Sequence, residues 1–166
     1  MYYKEDIYNS LTRINKRLSK NNLYLDLKIV GGAALIFNGI NSIETNDIDT
    51  INRIEEEIKE ICADCSLDIN DDALDYIDNY DDCKFIYDNE KSFSNITIEY
   101  LSLGSCIKTK LKNCQDEDKM EKLIFLLEDT LRVDMTIEGI SEYLSSLGEI
   151  PNEYDIEEFL KAIDYL

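Results

Sequence analysis

The chain of 166 residues contains no histidine. That absence removes the usual general base and the usual Ser- and Cys-based triads, so any catalysis falls to carboxylates and metal. Basic residues are few: 17 Lys+Arg stand against 36 Asp+Glu, a formal net charge of −19. Proteins that grip a nucleic-acid backbone present a basic stripe that releases counterions, so binding to bulk nucleic acid is not expected. The charge suits a small anionic substrate delivered with a divalent metal, or a basic protein partner drawn in electrostatically. No apolar run approaches the ~20 residues of a membrane span. The opening MYYKEDIYNS also lacks the basic-then-apolar layout of a signal peptide, which makes the cytoplasm the expected compartment. The five cysteines are odd in number; Cys62 and Cys65 have CxxC spacing, but no second CxxC and no histidine completes a ligand set, so reduced thiols are expected.

Hydrophobic residues make up 44% of the chain, enough for a folded core. Ile7, Leu11, Ile14 and Leu18 recur at helical spacing, predicting a first amphipathic helix over residues 3–20. Leu25–Val30 reads as a strand, Ala33–Phe37 as a helix ended near Gly39, and Asn46–Ile51 as a second strand. Ile54, Ile58, Ile61 and Cys65 describe another helix. The acidic stretch 66–82 is weakly patterned and reads as a short helix with loops, while Cys83–Tyr87 and Asn95–Leu101 pair as strands. From Gly104 the pattern is helical, with a last helix after Gly148 and Pro151, the only proline. The fold class expected is α+β: a small mixed β-sheet core with helices over residues 1–103, then a helical C-terminal segment, 104–166, packed on it.

The strongest chemical signal lies in Ile29–Ile51, IVGGAALIFNGINSIETNDIDTI. Gly31 and Gly32 stand where a strand gives way to a helix; unpaired N–H groups there attract phosphates, and missing side chains allow close approach. Asp47 and Asp49 are i and i+2 on a strand, so both project from one face and can bind the same metal or a metal pair, with Ile48 pointing into the core. Two ions ~3.5–4 Å apart would stabilise the attacking and leaving oxygens of a phosphoryl displacement, and Mg²⁺ suits this because it binds few carboxylates and completes its shell with water and substrate phosphates. In Ile96–Leu101 the alternation puts Glu99 on the more polar face, which makes it the candidate third carboxylate, with Asp68 in reserve. A Gly-Gly pair alone is usually a tight turn, and Asp-x-Asp alone in so acidic a chain usually marks a solvated face. The two in this order, each in its strand context, carry the weight. A calcium loop fits poorly, since Ile51 and Asn52 occupy the positions of a ligand and of the required glycine.

Val30-Gly-Gly-Ala-Ala-Leu35, Gly39 and Thr45-Asn-Asp-Ile-Asp49 resemble the signature of the nucleotidyltransferase superfamily with a DNA polymerase β-like fold. The resemblance is closest to the small prokaryotic branch of AbiEii-type toxins and DUF6036-type nucleotidyltransferases, and it spans roughly residues 25–130. It implies a nucleotidyltransferase-like core, a nucleoside triphosphate as substrate and Mg²⁺ as cofactor. It also implies catalytic and metal-binding roles for Asp47, Asp49 and Glu99, and nucleotide contacts from Gly31, Gly32, Thr45 and Lys110. Lys110 falls at the lysine of the downstream stretch Leu101–Lys110, Asp118 and Glu121 resemble the spaced acids of the next helix, and Asn70-Asp71 occupies the place of a similar polar pair. Two departures stand out: Ile43 and Glu44 precede Thr45 where relatives often carry an arginine, and Asn113–Glu117 replaces an arginine-rich stretch.

Two functional readings follow. The first is an Mg-dependent nucleotidyltransferase that moves a nucleotidyl group from a triphosphate to a protein, RNA or small-molecule acceptor, in the setting of a toxin–antitoxin or phage-defence system. The second keeps the fold, loses catalysis and acts through a partner; the missing arginines and the negative charge motivate it. A weaker third reading, an acidic decoy of nucleic acid, requires carboxylates strung along one elongated face rather than gathered at a glycine turn.

Overall fold

The structure, a computed structural model, describes residues 2–73, 80 and 82–164. The chain divides into two compact units, Met1–Ser102 and Leu103–Leu166.

In the first unit, α1 (Lys4–Lys20) is closed at its start by the Asp6 carboxylate, which accepts from the Tyr3 N–H at 2.9 Å. Its apolar stripe Ile7, Leu11, Ile14 and Leu18 is fully buried. A sharp turn with Asn22 at φ +54° leads into β1 (Leu25–Val30), and α2 (Gly31–Phe37) follows without a loop. Then come β2 (Ile48–Thr50), α3 (Glu56–Asp64), β3 (Ile69–Asn70), β4 (Phe85–Tyr87) and β5 (Ile96–Leu101). The five strands form one mixed sheet in the order β3-β2-β1-β5-β4. Strand β1 runs antiparallel to β2 and parallel to β5; β2 and β3 are parallel, and β4 and β5 are antiparallel.

Alternation assigns the two faces of this sheet. Leu25, Leu27 and Ile29 of β1, Ile48 of β2, and Ile96 and Ile98 of β5 are buried on one face. Helix α2 packs against β1, β2 and β5, and α1 packs against α3. The register aligns Asp49 with Val30 and with Asn70, and Glu99 with Lys28 and Tyr87, so these residues share the opposite, polar face.

Three details differ from the sequence reading. Helix α2 begins at Gly31, two residues before the expected start at Ala33, so the glycine pair forms its first residues. Strand β2 is shorter than Asn46–Ile51. Within 66–82, Ile69–Asn70 form a strand, because the backbone after α3 returns alongside β2 and the Ile48 N–H donates to the Asp68 carbonyl at 2.9 Å. Most of the short helix expected there falls on residues 74–79 and 81, outside the described residues.

The second unit is helical: α4 (Leu103–Lys112), α5 (Glu117–Ile124) continuing into a π-helix over Phe125–Thr130, α6 (Ile137–Ser146) and α7 (Glu153–Ile163). The side chains of Asp116, Thr136 and Asn152 cap α5, α6 and α7 by accepting backbone N–H bonds. Helix α4 packs against α5 and α7, and α6 against α7.

Candidate active site

The polar end of the first unit is built around Gly31. It adopts φ +66°, a conformation that L side chains rarely take, and a Cβ there would lie 2.8 Å from Asp49 Oδ2. The backbone therefore lies directly against the carboxylate of the neighbouring strand. A Cβ on Gly32 would come to 3.4 Å from Thr45 Oγ1, at the edge of ordinary contact, so the two residues are neighbours. Because α2 has only seven residues, close backbone approach, more than a helix dipole, distinguishes this turn.

Thr45 is itself pinned. Its hydroxyl donates to the Asp47 carbonyl at 2.9 Å, and its backbone exchanges hydrogen bonds with Tyr2 at 2.7 and 3.3 Å. Asp47 precedes β2 by one residue and is half-buried, as is Asp49; the fully buried Ile48 between them anchors the strand. Gly31, Gly32, Thr45, Asp47 and Asp49 thus form one contiguous group.

The other predicted site residues lie elsewhere. Glu99 is aligned with Lys28, whose Nζ is 3.8 Å from Glu99 Oε2 and 5.3 Å from the centre of the Phe85 ring. It shares the polar face with Asp49 but stands on β5, on the far side of β1. Lys110 belongs to α4 of the second unit and is half-buried. Asp68 is exposed. Asp118 pairs with Lys122 at 2.8 Å on the surface of α5, where Glu121 is also exposed.

Asn70, which the sequence reading matched to a polar pair of relatives without giving it a role, reaches Asp49. Its Nδ2 donates to Asp49 Oδ1 at 3.1 Å, while its Oδ1 accepts from the Asp72 N–H at 3.3 Å. Its neighbour Asp71 is structural. The Asp71 carboxylate accepts from the Ile54 N–H at 2.8 Å and from Lys59 Nζ at 2.9 Å, and these bonds hold its pKa below the usual carboxylate value. Beside the resemblance of Asn70-Asp71 to a polar pair of relatives, the alternation Leu67-Asp68-Ile69-Asn70 places Asn70 on the polar face once β3 is recognised.

Among the described residues, no three His, Cys, Asp or Glu side chains gather closely enough to hold a metal. A Mg²⁺ ion takes only one or two carboxylates and fills its octahedron with water and substrate phosphates. The cysteines offer no alternative chemistry at the CxxC: Cys62 and Cys65 are buried and unbridged, and burial raises the Cys62 thiol to about 12, far from a reactive thiolate.

A family model described as "Nucleotidyltransferase of unknown function (DUF6036)" matches residues 8–165. The chain belongs to that family. No curated protein and no solved structure shows significant similarity to it. For a DUF6036 nucleotidyltransferase, the match covers both compact units, the glycine turn, both aspartates of Asp47-Ile-Asp49, Glu99 and Lys110. No described helix of this family member is long and apolar enough to cross a membrane.

Proposed function

We propose that the chain is an Mg-dependent enzyme that transfers a nucleotidyl group from a nucleoside triphosphate to an acceptor hydroxyl of a protein, an RNA or a small molecule. The observation that carries this reading is the contact of Gly31 with Asp49: a backbone with no room for a Cβ, set against a half-exposed carboxylate. Such a turn admits the phosphates of a substrate close to the main chain and beside the residues that would hold their counter-ion.

Asp47 and Asp49 would hold Mg²⁺, which when bound neutralises phosphate charge and polarises the reacting phosphorus–oxygen bonds. Gly31 and Gly32 let the triphosphate approach, and Thr45 orients the turn that carries Asp47. The acceptor oxygen attacks the α-phosphorus, the bond from that phosphorus to the bridging oxygen breaks, and pyrophosphate leaves with the electron pair. Glu99, on the same sheet face, takes the acceptor's proton. A role in a toxin–antitoxin or phage-defence pair fits this chemistry, and the net charge of −19 suits a basic protein partner.

Calorimetry with Mg²⁺ and each common ribonucleoside triphosphate tests the reading, together with transfer of an α-labelled phosphate. Binding by the natural chain and its loss in Asp47→Ala/Asp49→Ala are the expected results. No binding of any triphosphate would remove the enzyme reading. A second reading, a nucleotidyltransferase-fold binding module without catalysis, is favoured by Asn70, an amide beside Asp49 on the neighbouring strand. It predicts full biological activity in the same double variant.

A further inference from the structure

The peptide that joins Asp47 to Ile48 is held on both sides. Its carbonyl accepts from the Thr45 hydroxyl at 2.9 Å, and its N–H donates to the Asp68 carbonyl at 2.9 Å. Both supports run to one residue, Tyr2, which lies ahead of α1. On one side the Tyr2 N–H donates to the Thr45 carbonyl at 2.7 Å, and the Thr45 N–H donates to the Tyr2 carbonyl at 3.3 Å. On the other side the Tyr2 hydroxyl accepts from the Asp68 N–H at 3.3 Å. These bonds close a ring that runs from Tyr2 through Thr45, the Asp47–Ile48 peptide and Asp68 back to Tyr2. The hydroxyl of the next residue, Tyr3, bonds the Glu44 carboxylate, which ties the same stretch to the residue before Thr45.

We infer that Tyr2 is a positioning residue for the segment Asp47-Ile48-Asp49. A side chain leaves the backbone in a direction set by the peptides that flank it, so the Asp47–Ile48 peptide governs where the Asp47 carboxylate points. Strand β2 begins only at Ile48, so its ladder does not reach Asp47. The ring through Tyr2 supplies the missing hold: turning that peptide breaks the bond from Thr45 or the bond to Asp68. Tyr2 stands outside the glycine turn and acts on the site through Thr45 and Asp68. Because each bond of a closed ring keeps the others in place, opening it at one point lowers the worth of the rest.

This inference rests on the proposed role of Asp47 and Asp49, and the test separates the two. Mg²⁺ with each common ribonucleoside triphosphate is titrated into the full chain by calorimetry, and amide hydrogen exchange and melting are followed in the same samples. Tyr2→Phe cuts the bond to Asp68 and leaves the backbone pairing with Thr45. It should weaken triphosphate binding by about fivefold, the worth of one hydrogen bond, and speed exchange at the Ile48 and Asp68 N–H groups, while the melting temperature stays near that of the natural chain. Asn15→Ala is the control for a general loosening of the same unit, since it removes the oxygen that accepts from the Asn95 N–H at 2.9 Å. It should melt lower and bind the triphosphate as the natural chain does. Thr45→Val opens the ring elsewhere, so its loss of affinity and that of Tyr2→Phe should combine to less than their product. Unchanged exchange at Ile48 and Asp68 in Tyr2→Phe would overturn the inference on its own. So would natural affinity in Tyr2→Phe, full additivity with Thr45→Val, or an equal loss of affinity in Asn15→Ala, and each of these leaves the enzyme reading standing. No binding by the natural chain, or binding that survives in Asp47→Ala/Asp49→Ala, would remove both.

Discussion

Each unit of the molecule sets one glycine against one carboxylate, and the two contacts are used differently. In the first unit Gly31 meets Asp49, whose carboxylate is half-exposed and receives an amide N–H from Asn70. In the second, a Cβ on Gly104 would lie 2.5 Å from Glu149 Cγ. That carboxylate is only 4% exposed; Ser105 Oγ donates to Oε1 at 3.1 Å, and Lys108 Nζ lies 3.6 Å from Oε2. A buried carboxylate with a cation and a hydroxyl is satisfied within its own unit and ties helix α4 to the turn after α6. Asp49, by contrast, remains half-exposed on the polar face of the sheet. Close approach to glycine is therefore not itself a mark of a site; what the carboxylate faces decides.

Removing each carboxylate should break the comparison in opposite ways. Asp49→Ala is expected to lower Mg²⁺–triphosphate affinity at least about 100-fold in calorimetry while the melting temperature stays near that of the natural chain. Glu149→Ala, by contrast, removes a buried carboxylate together with its bonds to Ser105 and Lys108, and should lower unfolding free energy by roughly 3 kcal/mol in denaturant titration. Gly104→Ala should cost about 2 kcal/mol by overpacking. The two changes should combine to less than their sum, because deleting the Glu149 side chain vacates the space that the new Cβ needs. Full additivity would show that the contact is not felt.

Asp71 sharpens the contrast, since it neighbours Asn70 yet behaves like Glu149. Its folded pKa is lowered, first by the Ile54 N–H and then by Lys59, so its contribution is present above the unfolded value of about 4 and is lost as pH falls through the lower folded value. Asp71→Asn should cost roughly 1–2 kcal/mol at neutral pH. The difference from the natural chain should shrink in denaturation curves taken below about pH 4. At the small end, Lys122→Ala removes an ion pair whose partners are 70% and 72% exposed, and should move stability by no more than about 0.5 kcal/mol.

Much of the first unit was legible in the chain. The apolar period of α1, the strand Leu25–Val30 and the pairing of the segments Cys83–Tyr87 and Asn95–Leu101 follow from local pattern, and the structure shows each, the last pair as the shorter strands Phe85–Tyr87 and Ile96–Leu101. Strand β3 was not legible: two residues in an acidic stretch carry no period, and only the partner strand makes them a strand. The site divides along the same line. Gly31, Gly32, Asp47 and Asp49 stand out by spacing alone. The link from Asn70 to Asp49 spans 21 residues and that from Ser105 to Glu149 spans 44, and no local pattern announces either.

By itself the sequence determined the class of chemistry open to this protein. With no histidine and with Gly31-Gly32 and Asp47-Ile-Asp49 in strand context, it is the basis of the proposed phosphate and hard-cation chemistry. Only the tertiary structure decided which groups share a face and at what distance. It brought Gly31, Thr45 and Asp49 together, set Glu99 beside Lys28, and put an amide rather than a carboxylate next to Asp49. The physical reason is that ladder register is settled by the packing of the buried face, Ile29, Ile48 and Ile98 among it, and the polar face inherits its neighbours from that choice.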